Sequence, residues 1–179
     1  MEWTGQNQTT ALAAEQDGGN KMKKYEFTGE VKRIKLIGTE VVLRRIRAVT
    51  AFGVVEAGDI GGWIEKEENL SHDGSAWVHS SAWVYGDARV CGNAEVCGDA
   101  MVHRTNHVFL VGPIGSRNDS TTFYRNIDGQ IDVKCGCFNG NIEVFLEKVT
   151  QTHENNQHAS AYRAVAQVAK MQIKTNGFD

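Results

Sequence analysis

The sequence contains a single proline, only four cysteines and no apolar run long enough to cross a bilayer. Without such a run, no transmembrane helix is predicted. The N-terminus lacks the basic region and following apolar stretch of a secretory signal, so we expect a cytoplasmic protein. Its cysteines are then expected to be thiols rather than a disulfide framework. What the chain does have is 19 glycines in 179 residues, which indicates many turns at regular spacing.

Charge is unevenly distributed along the chain, although the formal net charge is only −3. Residues 21–47 hold nine Lys or Arg against three Glu, whereas residues 54–100 hold two basic against nine acidic side chains. Two interpretations are open: mutual screening within the fold or oligomer, or an anionic partner for Arg44, Arg45 and Arg47. A pI of about 6.1 argues against nucleic acid as a partner.

A six-residue repeat is the strongest signal, and it runs from Leu70 to Thr105. The hexads read LSHDGS, AWVHSS, AWVYGD, ARVCGN, AEVCGD and AMVHRT. Ala and Val, two positions apart, point to the same side of a strand, and Gly followed by Asp or Asn suits a corner with positive φ. Hexads of this kind predict a parallel β-helix in which three hexads form one coil, so this repeat makes about two coils.

The register of the repeat also predicts which side chains point outward. Residues three hexads apart stack on one face, so we expect Trp83 beside Met101, His79 beside Cys97, and Tyr85 beside His103. An outward stripe with Trp77, Trp83 and Tyr85 is too apolar for water alone. We interpret it as a subunit or interdomain interface; a platform for a stacked ligand is the alternative.

The repeat resembles the hexapeptide-repeat, left-handed β-helix family, whose members are often trimers and often acyltransferases. More narrowly, Lys24–Glu30, Arg45–Val49 and Gly58–Ser71, which contains the block GGWIEKEENLS, resemble a group of small phage and prophage proteins. The resemblance implies a homo-oligomer, a trimer or dimer, in the cytoplasm of a bacterial host. Phage origin would favour interference with host machinery, including antiviral defence.

The repeat divides the chain into four predicted parts. Residues 1–21 are polar and treated as a flexible extension, and residues 22–69 form an N-terminal antiparallel β segment and cap. Residues 70–106 are the β-helix. Residues 107–179 form a small α+β cap, with strands at 107–111, 121–125 and 131–135, a helix after the N-cap Asn141, and a second helix over 159–173. The predicted fold class is therefore mainly β.

The residues of the C-terminal part offer two candidate sites. Cys135 and Cys137, with His153 or His158, have the chemistry of metal ligands, but their spacing departs from standard zinc sites, so we predict no bound metal or cofactor. The loop 112–120 resembles an anion cradle, in which Arg117 together with Arg125 would hold a phosphate or carboxylate; an ordinary connection is the alternative.

The leading functional expectation is a phage-encoded, non-enzymatic binding protein. It would block a host protein or sequester a small anionic signal molecule, with Trp77, Trp83, Tyr85, Arg117 and Arg125 as its binding residues. The alternative is a hexapeptide-family acyltransferase with His103 or His79 as general base at a subunit interface. A purely structural module is a third possibility.

Overall fold

The computed structural model describes residues 23–36 and 38–175 and shows a mainly β protein. The predicted extension, residues 1–21, lies outside the described residues. The long strands and helices are β1 (Tyr25–Leu36), β2 (Thr39–Ala48), β3 (Ile60–Ile64), β8 (Val108–Ile114), β9 (Asp119–Arg125), β10 (Ile131–Cys135), β11 (Phe138–Asn141), α1 (Ile142–His153) and α2 (Gln157–Gln172). Four two-residue strands lie in the hexads: β4 (Trp77–Val78), β5 (Trp83–Val84), β6 (Glu95–Val96) and β7 (Met101–Val102).

The strands of the Ala-x-Val hexads pair with the offset of three hexads that the repeat predicts, whereas Leu70 of the first hexad bridges Val90, 20 residues further along the chain. Trp77 pairs in parallel with Glu95, and Trp83 pairs in parallel with Met101. The Ala and Val of the five Ala-x-Val units are at most 2% exposed, because both side chains of each unit point into the stack. These side chains share one apolar core with residues from outside the repeat, among them Tyr25, Ile46 and Ile64.

Glycine at the corners allows successive turns of the stack to approach each other closely. Gly86 has a φ of +60°, and a Cβ at this position would lie 2.6 Å from the carbonyl oxygen of His103 in the next turn. Any larger residue would be strained by its backbone conformation and would also collide with that carbonyl. Gly74 makes the same close approach, since a Cβ there would lie 2.4 Å from the carbonyl oxygen of Gly92, whereas at Gly98 the nearest atom is a side-chain nitrogen at 3.7 Å.

The N-terminal strands extend one face of this stack. β1 and β2 form an antiparallel hairpin, β2 pairs with β3, and β3 runs parallel to β5, so the sheet order is β1-β2-β3-β5-β7. Asn69, which is fully buried, joins this region to the first coil: its amide donates to the carbonyl oxygens of Ala88 (2.8 Å) and Gly86 (3.2 Å). The N-terminal segment and the hexads consequently share one sheet.

The chain's own N-terminal part covers the outward aromatic stripe, which makes it an interface within the chain. Trp77 is 2% exposed, with its ring 5.4 Å from Phe52 and 6.4 Å from Tyr25. Trp83 is half-buried, and the ammonium of Lys32 lies 4.8 Å above its ring. Tyr85 is buried as well. The hexad period predicts on which side of the strand each residue lies, but it does not predict which other part of the chain packs against that side.

The C-terminal part is an antiparallel sheet of order β11-β10-β9-β8 with both helices packed against it. Asn141 caps α1 as predicted, its side chain accepting from the backbone N–H of Glu143 at 2.8 Å. α2 begins two residues earlier than expected, because Asn156 accepts from the N–H groups of His158 and Ala159. Strand β11 was not predicted, and β8 and β9 extend into the predicted loop 112–120.

Candidate functional site

Two clusters of polar side chains lie on the outer sides of the hexad strands. The first, here called the histidine cluster, consists of Tyr85, His103 and His107. The ring of Tyr85 stacks on that of His103, with centroids 5.2 Å apart, and His107 meets His103 edge-on at 4.3 Å. The predicted proximity of Tyr85 and His103 is thus confirmed. His107, on the short helical turn Thr105–His107, has no repeat signal that would have identified it.

The histidine cluster disfavours positive charge on its imidazoles. Burial lowers the pKa of His103, and the guanidinium groups of Arg125 and Arg104 lower it further. The pKa of His107 falls to about 4, first because of burial and then because of His103 and both arginines. Both imidazoles are therefore neutral at neutral pH, the state in which a histidine can accept a proton.

Three polar atoms of the histidine cluster have no hydrogen-bond partner among the described residues. The hydroxyl of Tyr85 and the Nδ1 atoms of His103 and His107 are buried, and within residues 23–36 and 38–175 none of them makes a hydrogen bond. Buried polar atoms of folded proteins almost always find a partner in protein, water or ligand. These three atoms therefore define the candidate position for a polar ligand or an ordered water.

The second group, the His–Glu–Cys cluster, consists of His79, Glu95 and Cys97. The Nε2 of His79 lies 3.4 Å from Oε2 of Glu95, and the ammonium of Lys134 lies 3.6 Å from the same oxygen. The interaction with His79, together with Lys134, lowers the pKa of Glu95. Burial raises the pKa of the Cys97 thiol to about 12. The donor atoms of His79 and Cys97 lie within 4.8 Å of each other, which confirms their predicted proximity.

The two predicted arginines do not form one anion site. Arg117 lies in the turn before β9, whereas Arg125 is the last residue of that strand. The guanidinium of Arg117 packs over Gly136, and Arg125 is buried near the histidine cluster. The predicted cradle is instead the end of a β-hairpin, in which Ile114 pairs with Asp119 across the turn at residues 115–118.

Cys135 and Cys137 line the same surface cavity, together with Arg117 and His153. Cys135 ends β10, and Cys137 follows a turn at Gly136, whose φ is +57°. Cys135 accepts a hydrogen bond from Thr121 at 3.2 Å. In the part of the chain that the structure describes, the group of three His, Cys, Asp or Glu donor atoms that lie within 4.8 Å of one another is the His–Glu–Cys cluster.

The basic segment is engaged within the fold. Arg44 donates to the backbone oxygen of Glu65 at 2.9 Å, and Arg47 forms an ion pair with Glu26. The guanidinium of Arg45 lies 5.2 Å from the ring centroid of Trp63. These contacts favour mutual screening over recruitment of an anionic partner.

Comparison with known proteins gives one limited likeness. No family model matches the chain. The uncharacterized acetyltransferase YdcK of Escherichia coli (strain K12) is 37% identical over 62 residues, which is 32% of this chain and 19% of that protein. The chain thus aligns with about a fifth of the length of this relative. No helix of the described residues is long and apolar enough to cross a membrane.

Proposed function

We propose that this chain is an acyltransferase-related hexapeptide protein that transfers an acyl group from acyl-coenzyme A to a hydroxyl or amine. The hexads would form a short left-handed parallel β-helix. The observation that carries the proposal is the 37% identity, over 62 residues, to a protein described as an uncharacterized acetyltransferase, in a chain where Trp77 and Trp83 pair in parallel with residues three hexads further on. This likeness favours the acyltransferase alternative over the phage-encoded binding protein, which remains a prediction.

The histidine cluster supplies the base in this proposal. His103 takes the proton of the acceptor as its oxygen or nitrogen bonds to the thioester carbonyl carbon. The tetrahedral intermediate then collapses, the carbon–sulfur bond breaks, and the imidazolium returns its proton to the coenzyme A thiolate. The lowered pKa of His103 supports this role because it keeps the imidazole unprotonated before the reaction.

Tyr85 and Arg125, which neighbour His103, would assist the transfer. Tyr85 holds the imidazole plane by stacking, and its hydroxyl, which has no partner within the described residues, is placed to bond a polar substrate. The positive charge of Arg125, which acts on the histidine cluster, stabilises a developing oxyanion. As in the family that the repeat resembles, we propose that a homo-oligomer completes the cleft.

The test is an assay of coenzyme A release by the full chain with acetyl-coenzyme A and a panel of amino sugars, sugars, amino acids and polyamines. We expect turnover with at least one acceptor, and a loss of about 100-fold or more in kcat in His103→Gln. His153→Gln, at the end of α1, is the matched control and should keep full activity. Circular dichroism of both variants verifies the fold.

Two results would contradict the proposal. One is the absence of turnover with every acceptor, which would return the protein to the class of binding or structural modules. The other is a folded His103→Gln protein with undiminished activity. If His79→Gln alone abolished turnover, the base would lie in the His–Glu–Cys cluster and the assignment to His103 would be wrong.

A further inference from the structure

The His–Glu–Cys cluster combines three kinds of side chain that bind transition metals. It offers one imidazole nitrogen, one carboxylate oxygen and one sulfur, and these donor atoms all lie within 4.8 Å of one another. His79 and Glu95 come from hexads stacked on each other, because Trp77 pairs with Glu95 and the whole stretch runs in parallel register. The cluster is therefore built by the repeat itself rather than by mobile loops.

The carboxylate of Glu95 interacts with two side chains, Lys134 and His79. The interacting atoms of His79 and Glu95, Nε2 and Oε2, are both buried. Their separation of 3.4 Å matches the edge of a tetrahedral zinc site, where nitrogen and oxygen ligands at about 2.0–2.2 Å from the ion lie roughly 3.4 Å apart. A closer approach of the Cys97 sulfur would complete three vertices of that tetrahedron.

The surroundings of the cluster hold its backbone in place. The N–H of Glu95 donates to the hydroxyl of Thr122 on β9 at 3.1 Å, which ties the repeat to the C-terminal sheet. Cys97 is 8% exposed, whereas the side chains of His79 and Glu95 keep 30% and 25% of their surface in solvent. The sulfur is thus shielded from water, and the imidazole and carboxylate side leaves an entry path for an ion.

We propose that His79, Glu95 and Cys97 bind one zinc ion, with a water molecule as the fourth ligand. On binding, Cys97 loses its proton to solvent and coordinates as the thiolate, as metal sites with cysteine require. The site is separate from the histidine cluster, which lies on the neighbouring hexads, so it does not depend on the acyltransferase proposal. Three protein ligands and one open position are typical of zinc sites that do chemistry.

Lys134 provides a further test of the proposal, because its positive charge would repel a bound zinc ion. Its ammonium lies 3.6 Å from the Glu95 oxygen and also donates to the carbonyl of Gly136 at 2.6 Å. In the absence of a metal, this positive charge compensates the carboxylate. Once zinc is bound, the ammonium is a like charge beside the ion, and removing it should strengthen binding.

The experiment uses the full chain, freed of metal with a chelator and then titrated with Zn²⁺ by calorimetry. We expect one ion per chain with a dissociation constant below about 1 μM. Titration with Co²⁺ in place of zinc should produce the near-ultraviolet band of a cobalt–thiolate bond. Lys134→Met should bind zinc about tenfold more tightly, a gain that a damaged fold would not produce.

Variants locate the site. Cys97→Ser should remove the cobalt–thiolate band and weaken zinc binding at least about 100-fold, and His79→Gln should also weaken it. Cys91→Ser is the matched control, because Cys91 occupies the same repeat position one hexad earlier and is exposed. Failure of the wild-type chain to bind zinc would overturn the proposal. So would retained binding in Cys97→Ser, or binding that is lost only when Cys135 and Cys137 are replaced.

Discussion

The ring of Tyr85 lies 20° from parallel to the ring of His103, with the centroids 5.2 Å apart, although three hexads separate the two in the chain. This contact, which the repeat creates, orients the imidazole that we propose as the general base. One turn of the stack brings the two rings together, and the burial that results keeps the imidazole neutral. The following predictions test the packing on which this relationship depends.

Replacing Gly86 with alanine should destabilise the protein by roughly 2–4 kcal/mol, because the new Cβ has both an unfavourable φ and the His103 carbonyl 2.6 Å away. Gly29→Ala is the matched control, since Gly29 also has a positive φ but no neighbouring atom within 4 Å. It should lose only about 1 kcal/mol. Urea unfolding measures both; equal losses would mean that close approach of the coils is not what requires glycine.

Replacing Asn69 with alanine should lower the free energy of unfolding by roughly 2–3 kcal/mol. The change leaves the carbonyls of Gly86 and Ala88 without their side-chain donor, and the N–H of Lys66 without its acceptor. Asn93, an exposed residue at a repeat corner, is the comparison. Asn93→Ala should stay within about 0.5 kcal/mol of the wild type in the same unfolding experiment. A small loss of stability in Asn69→Ala would show that water replaces the hydrogen bonds of the Asn69 side chain.

Acidification should destabilise the chain in part through His107. Its pKa is about 4 in the folded protein and near 6.5 when unfolded, so between these values the unfolded state binds more protons. Stability from this group is complete above pH 6.5 and falls as the pH drops toward 4, by about 3 kcal/mol at most.

The matching measurement compares urea unfolding of the wild type and His107→Gln at pH 7 and pH 5. The wild type should lose more stability between the two pH values than the variant does. Acidic groups with lowered pKa values, such as Glu95, contribute equally in both proteins and cancel in the difference. Identical losses would mean that His107 is protonated without cost in the folded state.

The sequence predicted the internal order of the stack well, because the repeat alone sets which residues lie three hexads apart. The neighbours of Trp83, His79 and Tyr85 were all identified in this way. What covers Trp77 and Tyr85 could not be predicted, since no local pattern shows that the distant N-terminal segment packs over them. For the same reason His107 was missed: it reaches His103 through a helical turn that lies outside the hexads.

Residues 112–120 form an ordinary hairpin connection, the alternative that the sequence left open. Gly, Ser and Asn in residues 112–120 are as compatible with a tight hairpin as with an open cradle, and pairing between β8 and β9 decides between them. The helices were predicted more closely, because asparagine caps and the spacing of apolar residues are local signals. Contacts between residues far apart in the sequence could be predicted only where the repeat sets the number of residues between them.

Native mass spectrometry of the chain with acetyl-coenzyme A tests the central claim most directly, because it reports subunit number, bound donor and loss of the acetyl group together. The account predicts an oligomer with one donor per chain, which converts to bound or released coenzyme A when a productive acceptor is added. In His103→Gln the donor should still bind, but its acetyl group should remain. A protein that binds no donor, or a variant that converts it as fast as the wild type, would contradict the account.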